Sequence, residues 1–281
     1  MSLKDNFAQM IDHLSSRFSV PPVGDVFLPP LHDGQWPEDE KFMAIVLEGG
    51  ATGISYVSVP ADEAAAYTAL RTQDLVGQDP RELAHAFGGE DSVGEMLGMA
   101  SINAICQHAM NEVGYEPDHA TDPMGLLSVE QGDRIGMVGL FAGLAMRIRE
   151  RGADLIVIEK DERLIEQHPE LPVTLDVTRL SSCNKVLCTA VTVLNNSLDE
   201  VLGHCSPDAF VSVVGPSAGY LPDPLFACGV DVVGGRVVTD SEAFLRRLVG
   251  RQRWTDTTRK TCFQKLTYQG IMSEESWSGR Q

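Results

Sequence analysis

The sequence predicts an α/β protein in which a smaller α+β part precedes a doubly wound parallel sheet. Three observations carry this prediction. The length of 281 residues suits two domains. Short extended segments precede a group of helices in the first 130 residues, which is the order of an α+β domain. From residue 131 onward, apolar runs alternate with helical segments. We therefore divide the chain into residues 1–130, 131–253 and a tail of 254–281.

The N-terminal part begins with an amphipathic helix and a small sheet. Apolar residues at helical spacing behind Ser2 predict a helix over 3–18 that packs on a sheet. The next segments favour an antiparallel meander, and they cover residues 25–28, 42–47 and 54–59. Gly49, Gly50 and Gly53 are expected to form the turn between the last two strands.

Three helices should follow, over residues 61–71, 80–87 and 92–113. The pattern of Ser92 and Glu95 predicts a capping box for the third helix, and Gly114 predicts its end. This helix contains small residues that let it approach a neighbour closely, and Asn103 lies among them. The small residues are Gly94, Gly98, Ala100 and Ala104.

The second part has the strand and helix alternation of a Rossmann-like domain, reached through a connection over 115–132. Its apolar runs predict strands over residues 134–140, 154–159, 185–189, 210–214 and 230–233. Its helices are predicted over residues 142–151, 162–168, 197–204 and 241–249. The tail leaves an extra strand, a dimer contact and disorder open, and its aromatic residues are Trp254, Phe263, Tyr268 and Trp277.

Charge and cysteine usage restrict the class of protein. The net charge is −18, and it is uneven: 5 Lys and Arg stand against 22 Asp and Glu up to Asp133, leaving 17 against 18 beyond it. Such a field repels phosphate backbones, so no nucleic-acid partner is expected. The acidic surface serves solubility or attracts cations. Six cysteines without a regular spacing predict reduced thiols and a cytoplasmic protein. Neither a signal peptide nor a membrane-spanning stretch is expected.

The first strand of the parallel sheet runs into a turn from Gly139 to Gly143, and this turn either binds an anion through its amides or only permits a tight bend. Phe141 stands where the dinucleotide fingerprint needs close backbone approach, so a nicotinamide cofactor is not expected. Glu159 ends the second strand 20 residues after Gly139, a position from which an acid can bind a ribose diol. A nucleoside-containing ligand such as S-adenosylmethionine stays open, as does a merely exposed strand-end acid.

Further polar residues follow the third and fourth strands. The hydroxyls of Thr189 and Thr192 are expected at the carboxyl end of the third strand, beside the crevice. The residues from Asn195 to Ser197 are interpreted as the start of a helix before any role in ligand binding is considered. The turn from Gly215 to Gly219 offers Ser217 and amides to a ligand or is only structural. No paired Cys-x-x-Cys pattern is present, so the cysteines are interpreted first as small buried side chains.

Five separated motifs in order carry a resemblance to a known family: GEMLGMASINAI (94–105), DRIGMVGLFAGL (133–144), DLIVIEKDE (154–162), VLCTAVTVLNNSLDEVL (186–202) and VVGPSAGYLPDPLFACGVDVVGG (213–235). Over about residues 5–250 the chain resembles the putative heavy-metal chelation family. The resemblance implies an enolase-N-terminal-like domain followed by a Rossmann-like domain, with a ligand site between them. It also implies a heavy-metal ion or a metal chelate as the bound species. The residues carried over by motif are Asn103, Phe141, Glu159, Thr189, Thr192, Asn195, Gly215, Pro216 and Ser217.

We interpret the chain as a protein that binds or handles a small polar ligand, which the resemblance extends to a metal chelate. The alternative is an enzyme of small-molecule metabolism, a lyase or transferase, in which Glu159 does acid–base work. A protein that only binds a partner is the third interpretation. A homodimer is expected, because two-domain α/β proteins often pair and the aromatic tail offers a surface.

Overall fold

The N-terminal part folds as a small sheet with helices around it. A computed structural model describes residues 2–31, 42–89 and 91–271. Trp277 and the rest of the tail beyond 271 lie outside these residues. The elements in order are α1 (Leu3–Arg17), β1 (Val23–Phe27), β2 (Phe42–Leu47), β3 (Thr52–Tyr56), α2 (Ala64–Ala69), α3 (Thr72–Leu75), α4 (Pro80–His85) and α5 (Ser92–Glu112).

The remainder of the described chain forms one larger sheet with its connecting helices. The predicted parallel strands are present within a few residues of their expected ends. The elements in order are β4 (Arg134–Val138), α6 (Ala142–Glu150), β5 (Asp154–Ile158), α7 (Arg163–Gln167), β6 (Val173–Thr174), β7 (Lys185–Thr189), α8 (Val191–Leu194), α9 (Leu198–His204), β8 (Phe210–Val214), α10 (Asp223–Ala227), β9 (Val232–Val238), α11 (Ser241–Val249) and β10 (Thr258–Gln264).

The larger sheet has the order β10-β9-β8-β7-β4-β5-β6. Strands β4 to β9 pair in parallel, and β10 pairs antiparallel with β9 at the edge. Counted from β4, the parallel order is 3-2-1-4-5-6, which is the order of doubly wound nucleotide-binding sheets. The described part of the tail therefore contributes an extra strand, which is one of the alternatives that the sequence left open.

The small sheet is an antiparallel meander, as predicted, and it is packed on both faces. Met43 and Ile45 belong to the same core as α5, whereas Ala44 and Ile54 pack with Phe244 of α11. Alternation of side chains across the strand produces this division.

Gly53 lies inside β3 and not in the turn, so this part of the turn prediction was wrong. A Cβ at Gly53 would stand 1.8 Å from the carbonyl oxygen of Ala100. The close approach of α5 therefore requires a glycine within the strand. Gly49 and Gly50 do form the turn, both with positive φ. The small residues of α5 have the role that the sequence predicted, since a Cβ at Gly98 would also clash, with Phe87.

Helix α1 has the Ser2 capping box with Asp5, but its packing differs from the prediction. It lies on α4, α5 and α10 and not on a sheet. The ring of Phe7 contacts Phe87 at 5.2 Å and Tyr220 at 5.0 Å between centroids, in edge-to-face geometry. Since Phe87 follows α4 and Tyr220 follows β8, α1 joins the two parts of the chain in one buried core. The division at residue 130 stays a prediction.

The N-terminus of α5 also differs from the prediction. Asp91 caps the helix by accepting a hydrogen bond of 2.6 Å from the Gly94 amide. The carboxylate of Glu95 is buried and bonded to Asn196, so Ser92 and Glu95 form no capping box. Gly114 follows the helix with a φ of 61°, as expected. Within the described ranges, no helix has the length and apolar character to span a bilayer.

Candidate functional site

The parallel sheet has its topological switch point between β4 and β7, because the chain leaves β4 toward β5 on one side and returns to β7 on the other. Open sheets of this kind bind ligands at the carboxyl ends of these strands. The loops after β4, β5, β7 and β8 therefore define the crevice, and strand β3 of the small sheet lies close to β9 beside it. The sequence predicted a site at this edge.

The floor of the crevice is tight. Gly139 follows β4 with a φ of 85°, and a Cβ there would stand 2.7 Å from Cγ2 of Thr189. Only glycine fits both the backbone conformation and the contact. Thr189 is half-buried, and its hydroxyl accepts a 3.4 Å hydrogen bond from the Val191 amide. The glycine of this turn thus brings the ends of β4 and β7 together.

Glu159 is the carboxylate at this edge, and it is half-buried. Its Oε1 accepts a hydrogen bond from the Leu140 amide, and its Oε2 accepts one of 3.3 Å from the Lys160 amide. The side chain therefore holds the turn after β4, where a dinucleotide-binding fold would hold phosphate. A negative charge in that position disfavours an anion and favours a cationic or hydrogen-donating group.

Tyr56 ends β3 of the small sheet and is half-buried. Burial raises the pKa of Tyr56, and the negative charge of Glu159 raises it further. The phenol thus stays protonated at neutral pH and can donate a hydrogen bond. The backbone amide of Tyr56 is fixed by a 2.8 Å hydrogen bond to the Ser217 hydroxyl. No sequence signal pointed to Tyr56, because its role depends on strand packing between distant segments.

Phe141 and the start of α6 form one wall. Phe141 is half-buried and packs in the core of the larger sheet, with its amide 3.4 Å from Sδ of Met137. Ala142 and Gly143 after it are exposed, and a Cβ at Gly143 would meet only open space. The first turn of α6 is therefore accessible.

Two of the predicted ligand residues belong to a buried seam between the small sheet, α5 and the loop after β8. Asn103 is 3% exposed, and its amide donates to the carbonyl oxygens of Ile54 at 2.7 Å and Ser217 at 2.8 Å. Ser217 is also buried, with its hydroxyl bonded to Tyr56. These side chains position β3 beside the crevice through bonds within the protein.

The remaining predicted residues divide into three places. The Thr192 hydroxyl is buried and donates to the Thr189 carbonyl at 2.7 Å, inside the helical turn of α8. Gly215 and Pro216 lie half-buried after β8, and a Cβ at Gly215 would stand 2.9 Å from Cβ of Ala190. Asn195 lies apart, in a groove with Glu95 and Asn196. Its Oδ1 accepts hydrogen bonds of 2.6 Å and 3.3 Å from the Ser197 hydroxyl and amide, at the start of α9.

A cavity of about 600 Å³ was not predicted from the sequence. It lies between the C-terminal half of α5, the turn at Gly49 and Gly50, and the ends of β9 and β10. Gln107 lines it and bonds the Thr52 amide at 2.8 Å and the Val238 carbonyl at 2.6 Å. Its polar lining comes from elements that are distant in the chain, and it includes Asn111, Glu116, His119, Asp240 and Arg259.

The six cysteines are protonated at neutral pH, because burial raises the pKa of each thiol. Burial raises the pKa of Cys106 to about 12 and that of Cys205 to about 11. Cys205 interacts with both Cys183 and Cys188, whose pKa values are also raised by burial. Among the residues that the structure describes, no group of three or more His, Cys, Asp or Glu side chains is arranged to hold a metal ion.

Comparisons with known proteins agree with this fold. A family model for DUF364, described as putative heavy-metal chelation, matches residues 122–265, just over half of the chain. A protein of unknown function from Desulfitobacterium hafniense, of the same family, has a TM-score of 0.67 at 20% identity over 91% of this chain and 98% of its own. One from Pyrococcus horikoshii has a TM-score of 0.65 at 16% identity over 93% and 99%. No curated protein sequence matches significantly.

Proposed function

Because the chain belongs to the putative heavy-metal chelation family, we propose that it binds a metal already held in a small organic chelate. The proposed site is the crevice at the carboxyl edge of the parallel sheet, with Tyr56, Phe141, Glu159 and Thr189 around the ligand. The observation that carries the proposal is the half-buried Glu159 carboxylate, which accepts a hydrogen bond from the Leu140 amide after β4 and whose charge raises the pKa of Tyr56.

The donor set of the crevice supports recognition of a chelate. A carboxylate, a phenol, a threonine hydroxyl and the amides at the start of α6 offer hydrogen-bond donors and acceptors on several sides. The thiols, which would be the strong ligands for a soft metal ion, are buried or half-buried, and desolvation raises their pKa values so that they are protonated at neutral pH. The organic part of the chelate therefore supplies the metal ligands in this proposal, and the protein binds its polar periphery.

Native mass spectrometry combined with elemental analysis tests this proposal even while the chelate is unidentified. Protein purified without chelators should carry a bound mass with the isotope pattern of a metal complex. Glu159→Gln keeps an oxygen acceptor for the Leu140 amide but removes the charge, so occupancy should fall. The matched control is Glu166→Gln, an exposed carboxylate on α7, which should bind as wild type does. A metal complex retained fully by Glu159→Gln would contradict the proposal.

A second candidate is a small-molecule enzyme with a nucleoside-containing cofactor such as S-adenosylmethionine. The observation in its favour is the position of Glu159 at the end of the second strand in the 3-2-1-4-5-6 order, where such folds bind ribose hydroxyls. Calorimetric titration with S-adenosylmethionine distinguishes the two candidates. Stoichiometric binding that Glu159→Gln abolishes would favour the enzyme, and binding that Glu159 does not influence would disfavour it.

A further inference from the structure

Glu95 occupies an unusual position for a carboxylate. It lies in the first turn of α5, and only 5% of its surface is exposed. Its Oε1 accepts a 2.8 Å hydrogen bond from the side-chain amide of Asn196 and lies 3.9 Å from Nζ of Lys4. Its Oε2 is buried and has no hydrogen-bond partner among the described residues. Burying a carboxylate oxygen without a hydrogen-bond donor costs free energy, so a bound group that donates a hydrogen bond to this atom would be stabilised.

The side chain of Glu95 lines a pocket of about 230 Å³. At about 30 Å³ per water molecule, this space holds about eight waters or one small organic molecule. The polar groups around it are the hydroxyls of Ser58 and Ser92, the carboxylate of Asp91 and the amide of Asn195. None of the crevice residues Phe141, Glu159 or Thr189 lines this pocket.

Oxygen acceptors and negative charge dominate this lining. Lys4 compensates Glu95 only in part, because Nζ of Lys4 makes its closer bond, of 2.8 Å, with the Gly88 carbonyl. An ammonium group has three donors and no acceptor, which matches a free carboxylate oxygen with neighbouring hydroxyl oxygens.

The pocket is shaped by a strained residue. Asn196 has a φ of 56°, a left-handed conformation that asparagine tolerates better than most residues. In this conformation its side chain reaches Glu95, which is 101 positions away in the sequence. The bond fixes one carboxylate oxygen, whereas the other, Oε2, is buried without a hydrogen-bond partner among the described residues.

We propose that this pocket binds the ammonium group of a small primary amine, with Glu95 as its anionic partner. Asn196 acts as a positioning residue that orients the Glu95 carboxylate. This site is separate from the crevice, so it does not rest on the proposed function.

The test uses ethanolamine as the probe and ethylene glycol as its neutral analogue of similar size. Both are titrated into the ¹⁵N-labelled full chain, and binding is followed on the Asn196 side-chain amide, which is assigned by its loss in Asn196→Asp. Ethanolamine should shift this resonance saturably and ethylene glycol should not. Glu95→Gln should weaken binding about tenfold or more, because it removes the charged partner. Glu112→Gln, at the exposed opposite end of α5, is the matched control and should bind normally.

Two further variants keep the proposal testable if Glu95→Gln does not fold. Asn195→Asp adds a carboxylate and should tighten ethanolamine binding, whereas Ser58→Ala removes a hydroxyl and should weaken it. Glu159→Gln should bind ethanolamine as wild type does, which separates this site from the crevice. The proposal is overturned by equal responses to ethanolamine and ethylene glycol, by no saturable shift, by unchanged binding in these pocket variants, or by saturation with MgCl₂ in place of the amine.

Discussion

Two polar regions at the junction of the small and large sheets use their side chains in opposite ways. In the buried seam, Asn103 and Ser217 make their hydrogen bonds with backbone groups of other elements. In the crevice, Glu159 and Tyr56 are half-buried, and the charge of Glu159 raises the pKa of Tyr56. Both regions contain residue types that suit a ligand, but only the second keeps them accessible.

The difference teaches that residue type and burial must be considered together. A buried amide with both hydrogens bonded to backbone contributes stability and fixes geometry. A half-exposed carboxylate with additional acceptor capacity can bind an external group. The seam is therefore expected to control folding, and the crevice to control binding. Single substitutions in each region should separate the two roles.

The largest effect on stability is expected for Asn103→Leu. This change leaves the carbonyl oxygens of Ile54 and Ser217 without donors in a buried environment, at about 1–3 kcal/mol for each group. The free energy of unfolding should therefore fall by about 3 kcal/mol or more, as measured by urea denaturation. Asn111→Leu, at an exposed position on the same helix, is the control. If both variants lower the free energy of unfolding by the same small amount, the hydrogen bonds of Asn103 do not stabilise the seam.

Glu159→Gln should show the opposite profile. Loss of the charged partner should reduce affinity for the crevice ligand by about tenfold to a hundredfold, or about 1.4–2.7 kcal/mol. The free energy of unfolding should change by less than about 0.5 kcal/mol, because glutamine retains the acceptor for Leu140. Calorimetry with the co-purified ligand and urea denaturation measure the two quantities. Strong destabilisation with unchanged affinity would place Glu159 in the structural class.

Ser217→Ala is expected to reduce stability, as Asn103→Leu does, but by a smaller amount. It removes the hydroxyl acceptor of the Tyr56 amide, which should cost about 1 kcal/mol of stability. Since Ser217 is not expected to reach the ligand, affinity should change only through the position of Tyr56. A selective loss of binding, with stability unaltered, would instead return Ser217 to the ligand residues.

A pH-dependent effect is expected at the opposite, amino edge of the sheet, where Nζ of Lys185 lies 2.7 Å from Oδ2 of Asp133. Burial opposes ionisation of Asp133, but hydrogen bonds from Lys185 and Asn184 outweigh it and lower its pKa to about 2. A lowered folded-state pKa stabilises the protein above the ordinary value of 3.8, and this contribution is lost as pH falls toward 2. Asp133→Asn should therefore lower the free energy of unfolding at neutral pH. The difference in this free energy between the variant and wild type should disappear as the pH falls from 3.8 toward 2. If the denaturation midpoints of wild type and Asp133→Asn differ by the same amount at every pH in this range, the interaction of Asp133 with Lys185 is not the cause.

Local pattern predicted most of the fold. Strands β4, β5, β7 and β8 follow apolar runs, and α11 was predicted at Ser241–Val249, its observed bounds. What was missed depends on tertiary contacts or on short length. Strand β6 has two residues, and α10 has five. Gly53 looked like a turn residue, and only the approach of α5 explains it within a strand.

The candidate site was predictable only in part, for the same reason. The strand-end rule located Glu159 and Thr189, because it needs only strand order. The motif resemblance added Asn103 and Ser217 to the predicted site. It could not distinguish residues that bond within the buried seam from residues that contact a ligand. Ser92 and Glu95 had the spacing of a capping box, which concealed the contact of Glu95 with Asn196. Tyr56 carried no local signal at all.

The most direct test of the central claim is the position of the metal itself. Crystals of the protein with its co-purified complex, measured at the absorption edge of the metal found by elemental analysis, would give an anomalous peak. We predict this peak in the crevice beside Glu159 and Tyr56, with density for organic ligands between the metal and the protein. A peak coordinated directly by Cys183, Cys188 and Cys205 would contradict the claim.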